Sequence, residues 1–176
     1  QWVSNHNYRR FGRLGSGSSS VISYKAKESS ATIIEVLSSA TPLSIDTWHH
    51  VAVVRENDDY FIFVDGVDVT SSGTPDISNP AALAAAVHIG ESDTGGYMTG
   101  YIDEIRVSNT ARYTSGFTPT TTQFTSDANT KLLIHCGETK TGTTGSGATF
   151  TDSGNTGHTV TENGNAIEST GNFYKF

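Results

Sequence analysis

The chain has a single cysteine in 176 residues, which excludes an intrachain disulfide and a cysteine-rich zinc site. It has no apolar run approaching the ~18 residues that a membrane-crossing helix requires. Basic residues are scarce: 11 Lys and Arg stand against 18 Asp and Glu, a formal net charge of −7. That balance repels phosphate backbones and anionic bilayers, so neither nucleic acid nor membrane insertion is expected. Arg9, Arg10 and Arg13 are the one basic cluster, and they read as a solvated strand edge rather than a phosphate grip. Lys, Glu and Leu, which favour helices, are sparse. Gly, Ser and Thr, which favour tight turns and extended chain, are abundant. A chain of this length and composition is expected to form one all-β domain with a sizeable core.

Short period-2 runs bounded by turn residues recur at 21–25, 32–37, 48–55, 60–64, 87–90, 100–107, 131–136 and 158–161. Each is a predicted strand, and their number and spacing favour a sandwich or barrel. One stretch dissents. Asn79-Pro80 followed by AALAAAV has a cap, a first-turn proline and alanines, and predicts a single helical turn on a loop. Cys136 shares a predicted strand face with Leu132 and Ile134, as a small buried hydrophobe would. Between 137 and 171 the chain is rich in Gly and Thr, with Phe150, Val160 and Ile167 interspersed; it reads as long hairpin loops with short strands, or as flexible linker.

The most informative segment is DTWHHVAVVRENDDYFIFVDGVDV at 46–69. Alternation along a strand puts Trp48, His50, Ala52 and Val54 on one face and His49, Val51, Val53 and Arg55 on the other. The adjacent histidines therefore diverge and cannot share a metal. His50 is expected in the core, and Trp48 buried between sheets. The carboxylates are turn chemistry: Glu56-Asn57-Asp58-Asp59 makes a polar turn, and Asp65-Gly66 suits the two positive-φ positions of a type I′ turn. The segment predicts an antiparallel meander, covered on one side by a partner sheet and on the other, in part, by loops.

WHHVAVVR, FIFVDGV, VHIGES and GYIDEIRVSNTARY follow one another in this order. Together they resemble the laminin-G-like, concanavalin A-like jelly-roll domains, most closely those of phage virion and bacterial surface proteins. The resemblance implies a two-sheet antiparallel β-sandwich on an extracellular or virion surface. It implies carbohydrate binding on the concave sheet or the loop rim in many members, and calcium in some. Lectins, glycosidases and structural modules share the fold, so function does not follow from it.

A glycosidase needs two carboxylates at ~5–5.5 Å or ~6.5–9.5 Å. Retaining enzymes of similar fold place Glu-x-Asp-x-Glu or Glu-x-Asp-x-x-Glu on one strand, and this chain has neither phrase. Asp103 and Glu104 are adjacent and face opposite ways on a strand, which pairs Glu104 with Arg106. The GSGSSS run at 15–20 is a loop rather than a nucleophile elbow. No enzyme activity is expected. Oxygen-rich runs at Asn57-Asp58-Asp59, Glu91-Ser92-Asp93 and Asp152-Ser153-Gly154-Asn155 are candidate calcium loops, with no metal ligand assigned among them. For a glycan, ESDTGGYM at 91–98 has the best composition: Tyr97 would stack on a pyranose face while Asp93 accepts hydroxyl hydrogen bonds, a glycine hairpin being the plainer reading.

The frame is unusual for this resemblance. Gln1-Trp2-Val3 looks like the tail of a strand that comes later in similar domains, and TKLLIHC at 130–136 with TFTDSGNTGHTVTENGNA at 149–166 looks like the opening of a following repeat. The expected organisation is a jelly-roll body over 1–125 that lacks its early strands, and an extension over 126–176. Expected partners are other copies of the chain or neighbouring surface or virion subunits, joined head to tail through the C-terminal third, with a tandem-array fragment as the alternative. The function expected is a non-enzymatic surface module for assembly or adhesion, with glycan binding left open beside it. A dedicated lectin is the alternative, with a glycan hydrolase or lyase behind it.

Overall fold

The computed structural model describes residues 8–14, 21–28, 31–39, 43–44, 46–75, 87–91, 97–136 and 150–161. These contain nine strands and no helix: β1 (Tyr8–Leu14), β2 (Val21–Glu28), β3 (Ala31–Ser38), β4 (Val51–Glu56), β5 (Asp59–Val64), β6 (Val67–Asp68), β7 (Thr70–Pro75), β8 (Ile105–Ser108) and β9 (Thr130–Ile134). All pairings are antiparallel. The chain divides into two compact units, Gln1–Ala85 with Ala111–Pro119, and Ala86–Thr110 with Thr120–Phe176.

In the first unit, β1-β2-β3-β7 form one sheet and β4-β5-β6 another. Ile22 and Ala26 of β2, Ile34 and Val36 of β3, and Ile62 and Val64 of β5 sit two residues apart or a multiple of two, so each strand turns them to one face. There they form a single buried cluster, with Tyr24, Leu43, Val53, Tyr60 and Val69 packed around it. Two antiparallel sheets with a shared apolar interior make the β-sandwich expected from the sequence. The other face of β5 is covered as well. Phe63 is fully buried, its ring meeting Tyr113 at 6.3 Å and Phe117 at 5.5 Å, and Tyr113 and Phe117 stack at 3.6 Å. The loop carrying those two rings is the second cover that the double-sided apolar pattern requires.

The β5–β6 turn has Asp65 at φ 52° and Gly66 at φ 81°, the type I′ geometry expected of Asp-Gly. Phe117 N–H donates to the Gly66 carbonyl at 2.9 Å, and a Cβ at Gly66 would lie 1.8 Å from the Phe117 oxygen. Beyond β6 the chain changes sheets at Val69. Its N–H donates to Ile62 of β5 at 2.9 Å, while its carbonyl accepts the Ser39 N–H, just past β3, at 2.7 Å. Thr70 secures the crossing: its hydroxyl accepts the Ile62 N–H at 2.8 Å and donates to Asp68 Oδ1 at 2.6 Å.

In the second unit, β8 pairs with β9 in the register Ile105↔Ile134, Arg106↔Leu133 and Val107↔Leu132. The outer edge of β9 is occupied by residues 152–155: Ser153 N–H donates to the Leu133 carbonyl at 2.7 Å and Asn155 N–H to the Thr130 carbonyl at 3.0 Å.

Several expected elements differ. The 48–55 strand begins only at Val51, because His50 exchanges backbone bonds with Asp65 through that residue's carboxylate and N–H instead of a ladder partner. Trp48 is consequently half-buried rather than a core residue. The 100–107 strand shortens to β8, since Glu104 adopts φ 51° and breaks the extended run. Residues 87–90 and 158–161 form no strand; next to the former, the described residues contain the isolated bridge Glu91↔Tyr97. A period-2 pattern without a ladder partner does not make a strand. β6 is the third strand of the expected meander, and β1 carries the arginines read as a strand edge; β7 was not expected from the pattern. The helical turn predicted after Asn79-Pro80 and the GSGSSS loop lie outside the described residues, apart from Val87.

Candidate functional site

Residues 87–91 and 97–102 of the second unit make an exposed ledge. Its two limbs are joined by the Glu91↔Tyr97 bridge and by Met98 N–H donating to the Gly90 carbonyl at 2.8 Å, with Gly90 at φ 79°. Tyr97 is 76% exposed and Tyr101 62%, and Val87, Ile89, Met98 and Ile102 are exposed as well. Polar chemistry sits on the same limb as Gly90: His88 Nδ1 and Glu91 Oε2 are 2.9 Å apart, both reachable from solvent. Of the two residues selected from sequence, Tyr97 therefore stands as an open aromatic face, while Asp93 lies outside the described residues. His88 is the polar neighbour that sequence reasoning missed, and Glu91 was named only as an oxygen of a candidate calcium loop. Their three-residue spacing beside a glycine turn was the available signal.

The carboxylates nearest to chemistry are engaged with backbone donors. Asp103 Oδ1 accepts N–H bonds from Glu104 at 2.7 Å and Cys136 at 3.0 Å. Glu104 Oε1 meets His135 Nδ1 at 2.8 Å, and its Oε2 accepts the Phe124 N–H at 2.8 Å. Both members of that hydrogen-bonded pair are largely buried, with side-chain exposures of 10% for His135 and 7% for Glu104. Strand alternation pairs Glu104 with Arg106. Glu104 makes the contacts above, and the Arg106 guanidinium lies 3.9 Å from the Phe124 ring centre. Cys136, expected to be buried, is partly exposed.

Asp152 is held most completely. Oδ1 accepts the N–H groups of Leu133 at 2.9 Å and Gly154 at 2.7 Å, and Oδ2 that of His158 at 2.8 Å. Burial, the largest single influence, pushes its pKa up. The donors Leu133, His158 and Gly154, together with the charge of His158, prevail and hold the carboxyl below its ordinary 3.8. Such a carboxylate stays ionised and oriented; it is a fixed acceptor rather than a proton carrier.

The two histidines of WHHVAVVR diverge as alternation requires. His49 Nε2 accepts the Ser44 N–H at 3.0 Å, which leaves Nδ1 to carry the proton toward Asp65 Oδ2 at 2.8 Å. The His50 ring instead meets Tyr113 and Phe117 edge-on at 5.7 and 5.3 Å. Of the candidate calcium loops, Asn57 and Asp58 make the tight turn between β4 and β5 while Asp59 opens β5, and Asp58 sits 3.6 Å from Arg55. In 152–155 the Asp152 oxygens face N–H donors, and of 91–93 only Glu91 is described. Among the described residues, no group of three or more His, Cys, Asp or Glu is placed to hold a metal ion.

No curated protein and no solved structure matches the chain. A laminin-G family model, described as the concanavalin A-like lectin/glucanases superfamily, matches residues 1–116. That span takes in both sheets of the first unit, the ledge and β8. A matched span of this extent and the antiparallel sandwich within it lead to one conclusion: the chain is a laminin-G-type member of the concanavalin A-like lectin/glucanases superfamily.

Proposed function

We propose that this chain is a non-enzymatic adhesion and assembly module of an extracellular or virion surface, and that it contacts glycans through the ledge at 87–91 and 97–102. The observation that carries the reading is the exposure of Tyr97, held on a bridged turn with Met98 beside it and the His88–Glu91 pair opposite. An aromatic face with polar groups at its margin is the usual arrangement for gripping a pyranose ring, whose C–H face stacks while its hydroxyls hydrogen-bond. The net charge of −7 favours neutral glycans over sulfated or carboxylated ones. The absence of enzyme activity is part of the proposal. It is supported by the way Asp103, Glu104 and Asp152 are spent on N–H donors rather than aimed as a pair at one point. The surface location comes from the four sequence phrases and their resemblance.

A glycan array probed with the wild type and Tyr97→Ala, each with and without calcium, tests this. Retention of neutral glycans by the wild type, lost at least tenfold in Tyr97→Ala, is the expected result. Equal binding by both proteins, or none by either, overturns the ledge. Sugar release from a polysaccharide would favour the hydrolase alternative instead.

A further inference from the structure

Residues 150–158 are not a strand, yet they do for β9 what a neighbouring strand would do. Leu133 turns both backbone groups away from β8: its carbonyl accepts the Ser153 N–H, and its N–H donates to Asp152 Oδ1. The Thr130 carbonyl accepts the Asn155 N–H, and the Asn155 side-chain amide reaches the Asp127 carbonyl. Gly154 lets this strap lie flat, since a Cβ there would stand 3.1 Å from both the N and the Cα of Leu132. A sheet edge left open invites another chain, and one covered by a segment held through a few bonds is covered only while that segment stays in place. The strap is joined to β9 through residues 137–149, GETKTGTTGSGAT, a connector rich in glycine.

We propose that this strap is exchangeable between copies of the chain: it closes the β9 edge of its own molecule in isolation and that of a second copy on assembly. The partner is specified by the bonds themselves. The segment that fits the edge is this chain's own 150–158, and the same acceptors and donors serve it in cis and in trans. Asp152 is the key contact, because one side chain both substitutes for a strand carbonyl at Leu133 and fixes the strap's shape through Gly154 and His158. This inference does not depend on glycan binding.

The test uses the full chain with its own strap disabled by Asp152→Ala and Gly154→Val, and a labelled peptide of residues 150–161. The peptide should bind this variant at least tenfold more tightly than a peptide carrying Asp152→Ala, and wild-type chain should compete poorly. Indistinguishable binding of the two peptides overturns the proposal. Should the disabled chain not fold alone, it is refolded with each peptide; recovery of folded protein with the native peptide only supports exchange, and failure with both overturns it. Wild-type chains in heavy and light isotope forms, refolded together at high concentration, should give mixed-mass dimers in native mass spectra. Monomers alone would show that the strap does not exchange.

Discussion

Two side chains in the second unit carry testable consequences of their own. Glu104 joins His135 and the Phe124 N–H, so Glu104→Ala removes the acceptor of a largely buried imidazole and of a part-buried backbone donor together. A loss of about 3 kcal/mol is expected in urea unfolding, since breaking a buried pair by removing one partner costs that order. Asp152 sets an acid limit. Its native pKa is lowered, so its contribution is fully present above the ordinary value of 3.8 and is lost as pH falls through the native value beneath it. The stability gap between wild type and Asp152→Asn should therefore be widest near neutrality and narrow in acid; a gap that widens in acid would contradict the assignment. Neither role was legible in the sequence. Glu104 and His135 are far apart along the chain, and nothing in the composition announces the positive φ of Glu104.

At the scale of elements, the strands that the sequence revealed most clearly are those with a buried face. β3 and β5 alternate branched or aromatic residues toward a covered side, and the Asp65-Gly66 turn declares itself by the two positive φ angles it needs. β7 was hidden, and β1 showed only as the edge carrying its arginines, for the opposite reason. YRRFGRL and TSSGTP lie at the two edges of their sheet and lack a dominant apolar stripe, so pairing with β2 and β3 rather than local pattern makes them strands. The ledge was partly legible: Tyr97 among glycines was visible as an exposed ring, but its partners depend on a bridge that no period predicts. Phe63 takes the structural place expected of Trp48. Phe63→Ala should cost ~3–5 kcal/mol by leaving a cavity beneath Tyr113 and Phe117. Gly66→Ala should cost about 3 kcal/mol or more, because the new methyl meets the Phe117 carbonyl and the turn requires left-handed backbone. Thermal unfolding would measure both, and a near-neutral Gly66→Ala would mean that the 111–119 loop is free to move away.

At the scale of the whole molecule, charge dominates. With −7 distributed over one chain, retention on a heparin-type or other polyanionic matrix is not expected at pH 7 and ~0.15 M salt. Firm retention there would redirect the search from neutral glycans to anionic ones.

The crossing at Val69 bears on how the molecule is made. β4 and β5 are neighbours in sequence and zip together through a short turn, whereas β7 must wait for the chain to leave that hairpin before it reaches β3. Contacts that close long loops form late and slowly. The hairpin of β4 and β5 is therefore expected to gain protection from hydrogen exchange early in refolding, with the amides of β7 and Val69 following together. For a nascent chain, the interval between those two events is when β3 has an uncovered edge, and the speed of one residue's crossing sets how long that edge is open to the wrong partner.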